Sequence, residues 1–263
     1  MSGLPKWARF AVPLAVAALA LIGWEALVRV REIPVYVLPA PSLVWSTLVT
    51  DWGTLWPSLI VTLKVTLLSL LLAAAGGVVL ALLFSLSSWV EVSLMPFAVV
   101  LQVTPIIAIA PLILIYAPDT LSALLICAWI VAFFPVLSNT TVGLRSIDRN
   151  LDDLFRLYGA TRWQRVRFLL TPSALPYFLA GLKIAGGLSL MGTVAAEFAA
   201  GTSGRESGLA YRILEASFRS NTPRMFAALA LIALTGLLIY FIFRFLSWLL
   251  LRKWHESELD GSR

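Results

Sequence analysis

A chain of 263 residues that is 60% hydrophobic and only 13% charged is too oily for a soluble domain of its length. Ten tryptophans suit two water–lipid interfaces, and an excess of 20 Lys+Arg over 14 Asp+Glu marks cytoplasmic loops more simply than a nucleic-acid partner. Cys127 is the only cysteine and His255 the only histidine, which excludes a disulfide framework, a zinc site, a histidine triad and a histidine proton relay.

Residues 1–9 form a short basic leader. The apolar run 10–28 has membrane-spanning length and is followed by Arg29-Val30-Arg31-Glu32 rather than a small-residue cleavage site, so a retained first span is expected there. Glu25 falls at its interfacial outer end. Residues 34–57 are amphipathic and bounded by proline, with Ser42 reading as the cap of a short helix. Trp45, Trp52 and Trp56 put that helix at the interface. A second span is expected over 58–84, with Lys64 placed to snorkel and Gly76-Gly77 permitting close backbone approach.

The third span, 94–116, is interrupted by Pro96, Pro105 and Pro111. Proline in a membrane helix frees carbonyls that must be buried in protein or face a wet cavity. Pro105, Ala108 and Pro111 are therefore candidates for the wall of a translocation path, with an inert kink as the alternative. Ala117-Pro118-Asp119-Thr120 reads as a tight turn, and the fourth span as 121–141.

The long polar interruption, 148–172, comes next. Leu151, Leu154, Phe155 and Tyr158 recur at the spacing of one helix face, and Asp148, Asp152 and Asp153 load the first turn with the charge its dipole favours. Gly159 reads as a left-handed C-cap, and Thr161-Arg162-Trp163-Gln164 as a capping box opening a second helix that stops before Thr171-Pro172. The result is a helix–glycine–helix knuckle whose apolar stripe needs a partner. The neighbouring carboxylates Asp152 and Asp153 point about 100° apart on a helix and do not make an acid/base pair.

The fifth span is expected over 176–200. Lys183 lies roughly 10 Å in from Pro176, and Glu197 about 21 Å further along, too far for a direct pair in a straight helix. Lys183 can snorkel to the headgroups, and Glu197 can cap an outer gate or pair with an arginine of the 201–224 loop. Gly192, Ala196 and Ala200 form a small-residue face suited to tight helix packing. The polar loop 201–224 holds a short helix around 211–218, and the sixth span runs over 225–251, closed by Arg252-Lys253-Trp254. A phosphate loop is excluded, because Gly187 follows Gly181 and Gly186 where a lysine is required.

The knuckle resembles the cytoplasmic signature of permease subunits of bacterial ATP-binding cassette importers. Asp153-Leu154-Phe155 stands for its Glu-Ala-Ala, Gly159 for its glycine, and Leu169-Leu170-Thr171-Pro172 for its Ile-x-Leu-Pro. Gly159-Ala160-Thr161-Arg162-Trp163-Gln164 and Pro172-Ser173-Ala174-Leu175-Pro176 are similar to the nitrate, sulfonate and taurine branch, as is the run Thr104 to Pro111. Leu154 and Phe155 depart from two small alanines, and Thr171 from a leucine. Arg205-Glu206-Ser207 is inserted in a Ser-Gly-Leu-Gly-like outer loop.

The resemblance implies one all-α membrane domain, 1–263, with six transmembrane helices and a cytoplasmic coupling loop between the fourth and fifth. It implies no catalytic residue, metal or cofactor on this chain. The expected assembly is a homodimer or paired permease in lipid, with a cytoplasmic ATP-binding subunit dimer and an external solute-binding protein. Asp153, Leu154, Phe155, Tyr158, Gly159, Ala160 and Pro172 would couple to the ATPase, while Pro105, Ala108, Pro111 and Glu197 would belong to the path. The arginines of 142–175 and the basic ends outnumber the cations of the opposite loops, which predicts cytoplasmic termini in the bacterial inner membrane. A carrier or channel independent of ATP is the alternative class, and a membrane scaffold the third, although a scaffold leaves the knuckle unexplained.

Overall fold

The structure, a computed structural model, describes residues 8–201 and 207–252. The expectations placed on residues 1–7 of the leader, on the inserted Arg205-Glu206, and on Lys253, Trp254 and His255 lie outside those residues. Every regular element among the described residues is helical: α1 Ala8–Val30, α2 Pro41–Thr50, α3 Trp52–Leu86, α4 Ser88–Val103, α5 Ile106–Tyr116, α6 Thr120–Arg145, α7 Arg149–Leu157, α8 Arg162–Arg165, α9 Thr171–Ala200, α10 Leu209–Phe218 and α11 Thr222–Leu251. A π-helical segment, Val166–Leu170, joins α8 to α9.

Among the described residues five helical runs are long and apolar enough to cross a membrane, and the bent pair α4–α5 makes a sixth if counted as one span. The third predicted span is thus corrected. The helical segment begins at Ser88 rather than Leu94, and the interruption expected within 94–116 is a 104° bend between α4 and α5. Of its prolines only Pro105 breaks the chain, where Thr104 and Pro105 are both extended. Pro96 and Pro111 lie inside helices, as do Pro57 and Pro135. Proline biases the residue before it away from helix, and Thr104 yields to that bias. Its hydroxyl instead donates to the Val100 carbonyl at 2.6 Å.

The second helix of the knuckle does not stop before Thr171-Pro172, and the next span does not begin at Pro176. Residues 162–200 form one helical run of 39 residues. Pro172 has no N–H to offer, and the chain accommodates it with a wider turn in which the Thr171 N–H reaches back to the Val166 carbonyl. The Thr171 hydroxyl donates to the same carbonyl at 2.8 Å.

The core is built around α6, packed between α3 and α9. Glycine sets these distances. A Cβ on Gly181 would lie 2.8 Å from the Pro135 carbonyl oxygen, and one on Gly192 would lie 2.9 Å from the Ala128 Cα. Gly77 meets Val136 across the α3–α6 contact in the same way, at 2.9 Å. Leu70, Phe84, Phe133, Leu137 and Leu144 fill one end of the bundle, while Leu55, Leu59, Leu209 and Leu231 fill the other. In contrast α1 is almost wholly exposed and leans on the rest through α2 and a Trp24–Phe226 ring contact at 5.7 Å.

Candidate functional site

The knuckle is assembled by local capping. The Asp148 carboxylate accepts the Asn150 N–H at 2.8 Å and opens α7. At the other end Gly159 adopts φ +66°, donating to the Arg156 carbonyl at 3.0 Å, while the Ala160 N–H reaches Phe155 at 2.9 Å. That pair of bonds is a Schellman cap, and its left-handed residue costs any non-glycine about 1 kcal/mol. Both bonds of the capping box form: Gln164 N–H to the Thr161 hydroxyl at 3.2 Å, and Thr161 N–H to the Gln164 side chain at 2.7 Å. Asp152 locks the two halves together, pairing with Arg156 at 2.9 Å and with Arg165 beyond the corner.

The orientation of α7 is the informative feature. Arg149, Asp152, Asp153 and Arg156 line a cavity closed on its far side by Phe84, Leu144 and Leu170, so the charged face looks back at the spans. The apolar face looks away: Leu151 and Leu154 are nearly half exposed, and Tyr158 is 84% exposed. Leu154, Phe155, Tyr158 and Ala160 together with Gln164 and Phe168 line an open, mainly apolar cleft of about 350 Å³. A helix resting on its own bundle or on lipid would present its faces the other way round.

A second constellation, unseen in the sequence, joins α3 to α9. Thr62, Thr66 and Ser69 face Glu197, Thr193 and Ser189, all buried. The Thr62 hydroxyl donates to Glu197 at 2.8 Å, the Thr66 hydroxyl to Thr193 at 3.2 Å, and the Ser69 and Ser189 hydroxyls lie 2.8 Å apart. This polar seam satisfies its members within protein, as the membrane interior requires.

At its outer end the seam captures α10. Gly208, at the N-cap of α10, has no side chain to satisfy the first N–H groups. The Ala210 N–H donates instead to Glu197 at 3.0 Å, and the Leu209 N–H to the Thr62 hydroxyl at 2.9 Å. Gly208 is required by proximity, because a Cβ there would lie 1.9 Å from a Glu197 oxygen. The same device recurs at α2, where Ser42 is not the cap. The Glu25 carboxylate receives the Ser42 N–H at 3.0 Å and its hydroxyl at 2.8 Å.

Glu197 is therefore 2% exposed, and its partners among the described residues are Thr62 and Ala210 rather than an arginine. Pro105, Ala108 and Pro111 are exposed, while Ile106, Ala110 and Ile113 carry the packing of α5. Lys183 is also exposed. The structure does not bring Glu197 together with the knuckle, which caps the opposite end of α9.

The fold is that of a multi-pass helical membrane protein whose knuckle presents an exposed apolar cleft beside the start of α9. The chain belongs to the family of binding-protein-dependent transport system inner membrane components, whose model matches residues 73–254. It is 34% identical to the riboflavin transport system permease protein of Chloroflexus aurantiacus, covering 96% of this chain and 92% of that protein. It is 31% identical to a formylaminopyrimidine transport permease of Halalkalibacterium halodurans (83% and 86% covered). Identity is 32% to a putative aliphatic sulfonates transport permease of Bacillus subtilis (89% and 84% covered). The fold is shared with a solved amino acid ABC transporter at 20% identity and a TM-score of 0.63, over 79% of this chain and 97% of that one. The chain is thus a permease of the inner membrane, of the kind that includes the nitrate, sulfonate and taurine permeases.

Proposed function

We propose that this chain is the translocation subunit of an importer in which ATP is hydrolysed on a separate cytoplasmic subunit dimer. Two permease copies form the path within the lipid bilayer, and an external binding protein delivers a small solute. The single domain, 1–263, carries six spans, with α4 and α5 together as the third, and the knuckle and both termini lie in the cytoplasm. The observation that carries the reading is the outward-facing apolar surface of α7, which leaves Leu154 and Tyr158 exposed and Phe155 only partly buried in the isolated chain.

In this mechanism α7 sits in a cleft of the ATPase subunit. Leu154, Phe155, Tyr158 and Ala160 form the contact, Asp153 borders it from the charged face, Gly159 sets its angle, and Pro172 lies where the knuckle runs into the span. Because residues 162–200 are one helical run, closure of the ATPase dimer is delivered to α9 without a flexible joint. Pro105, Ala108 and Pro111 form the wall of the path, and Glu197 holds its outer end by fixing α10. The buried seam contains hydroxyls and one carboxyl but no buried lysine or arginine among the described residues, which argues against tight retention of an anion inside the path. Specificity then rests with the binding protein, within the solute range of the relatives: riboflavin, a thiamine-type pyrimidine, sulfonates, nitrate or taurine.

Purification of the tagged chain, followed by identification of copurifying proteins and ATP-dependent uptake in vesicles, tests this. A copurifying ATPase and uptake abolished by ATP depletion are expected. Uptake that continues without ATP and without an ATPase subunit would assign the chain to the carrier or channel class.

A further inference from the structure

The cavity behind the knuckle has a chemistry that the coupling reading does not use. It encloses about 550 Å³ and is lined by Arg145, Arg149, Arg156 and Arg165, with Asp152 and Asp153. Asp152 pairs with Arg156 and Arg165, and Arg145 pairs with Glu91 of α4. Arg149 makes no ion pair among the described residues. The guanidinium groups of the lining outnumber its carboxylates, Asp152 and Asp153. A smaller cavity of about 240 Å³ shares Arg165 and Leu170 and adds Arg162, extending the cationic lining.

Its depth is set by the elements that meet there. Arg145 is the last residue of α6, Ser85 lies in the last turn of α3, and Ser88 opens α4. These are the ends of spans, with an apolar floor of Phe84, Leu144 and Leu170 beneath the arginines. Trp89 on α4 and Trp163 on α8 are both exposed, as side chains at headgroup level are.

We propose that this cavity binds the phosphodiester of an anionic phospholipid headgroup. Guanidinium forks match phosphate oxygens, and basic pockets at the ends of membrane helices hold anionic headgroups. A phospholipid also brings acyl chains to the apolar floor of Phe84, Leu144 and Leu170, which a free phosphate leaves unused. The site lies on the face of α7 opposite the apolar cleft, so a bound lipid braces the knuckle from behind and leaves its outer face open. The choice of leaflet rests on the cytoplasmic placement proposed above; the charge chemistry does not.

The test uses the full-length permease, purified with whichever subunits stay bound. It is titrated with phosphatidylglycerol and with phosphatidylcholine of matched chains, and lipid retention is read by native mass spectrometry. Phosphatidylglycerol should be held roughly tenfold more tightly, Arg149→Gln should cut that preference severalfold, and Arg149→Lys should keep most of it. Arg149 is exposed and unpaired, so neither variant threatens folding. Equal retention of the two lipids, or a preference untouched by Arg149→Gln, overturns the proposal. Displacement of phosphatidylglycerol by millimolar inorganic phosphate overturns the lipid assignment in favour of a free-anion site. Lipid retention is measured whether or not an ATPase copurifies, so failure of the importer reading is recorded separately.

Discussion

Replacing Glu197 with leucine removes the acceptor for two buried donors, the Thr62 hydroxyl and the Ala210 N–H. The hydroxyl can turn to another acceptor, but the N–H at the start of α10 cannot. Stranding one buried donor costs about 1–3 kcal/mol, and bonds to a carboxyl group are at the stronger end of the range. A net loss of about 2–3 kcal/mol is therefore expected, concentrated where α10 docks rather than spread over the bundle. At 1.4 kcal/mol per decade this raises the local opening equilibrium of α10 by roughly thirtyfold to a hundredfold. Amide hydrogen exchange at Leu209–Arg212, with the protein in lipid nanodiscs, measures this directly. Glu197→Gln retains an oxygen for the Ala210 N–H and should accelerate exchange by no more than about tenfold. Gly208→Ala should behave like the leucine variant, because its Cβ would stand 1.9 Å from the Glu197 carboxyl. If Glu197→Leu leaves the amides of α10 as protected as in the parent protein, the carboxyl does not hold this helix and the reasoning fails.

Other expectations can be checked singly. Gly192→Val places its side chain against the Ala128 Cα, where a Cβ alone would come within 2.9 Å; it should lower the thermal midpoint in detergent by several degrees, consistent with an overpacking cost of about 1–3 kcal/mol. Lys183→Met, at an exposed position, should leave uptake within a few-fold of normal; a variant that assembles and hydrolyses ATP without transporting would contradict this. With Cys127→Ala as background, a cysteine at exposed Phe218 should react with impermeant reagent from outside whole cells, and one at exposed Arg162 should not. The opposite pattern would invert the orientation. Asp119, outside the spans, accepts from the Ser122 N–H and hydroxyl, both at 2.8 Å, which hold its carboxyl below the usual range. Its stabilising contribution is complete above the ordinary carboxylate range near pH 4 and is lost as the pH falls through the lowered value. Asp119→Asn should therefore flatten the acid side of a thermal-stability profile.

The spans were legible because apolar length is a one-dimensional signal, and the knuckle because its caps are local. Asp148, Gly159 and the Thr161–Gln164 box each act within a few residues. What escaped has two physical causes. Proline does not announce whether it will break a helix: Pro57, Pro96, Pro111 and Pro135 are absorbed and Pro105 is not, and at Pro172 a single wide turn preserves a run that local rules end there. Long-range capping hides as well. A serine or threonine in a membrane helix ordinarily back-bonds to its own preceding turn, so Thr62, Thr66 and Ser69 carried no mark of partners on α9. Their spacing, four and three residues apart, matched by Ser189, Thr193 and Glu197 at intervals of four, was the available signal. For Ser42, local logic pointed to a cap, but the carboxyl came from Glu25 of the preceding helix.

The most direct test of the account is Phe155→Asp in the reconstituted complex, with Asn150→Ala, which belongs to neither face of α7, as the control. If α7 is buried in the ATPase subunit by its apolar face, the charge should cost about 2 kcal/mol or more of assembly, roughly thirtyfold in affinity. The variant should insert normally, lose ATPase subunit on pull-down and lose substrate-stimulated hydrolysis, while Asn150→Ala retains both. Normal retention together with normal stimulation in Phe155→Asp would show that the knuckle is not the coupling element.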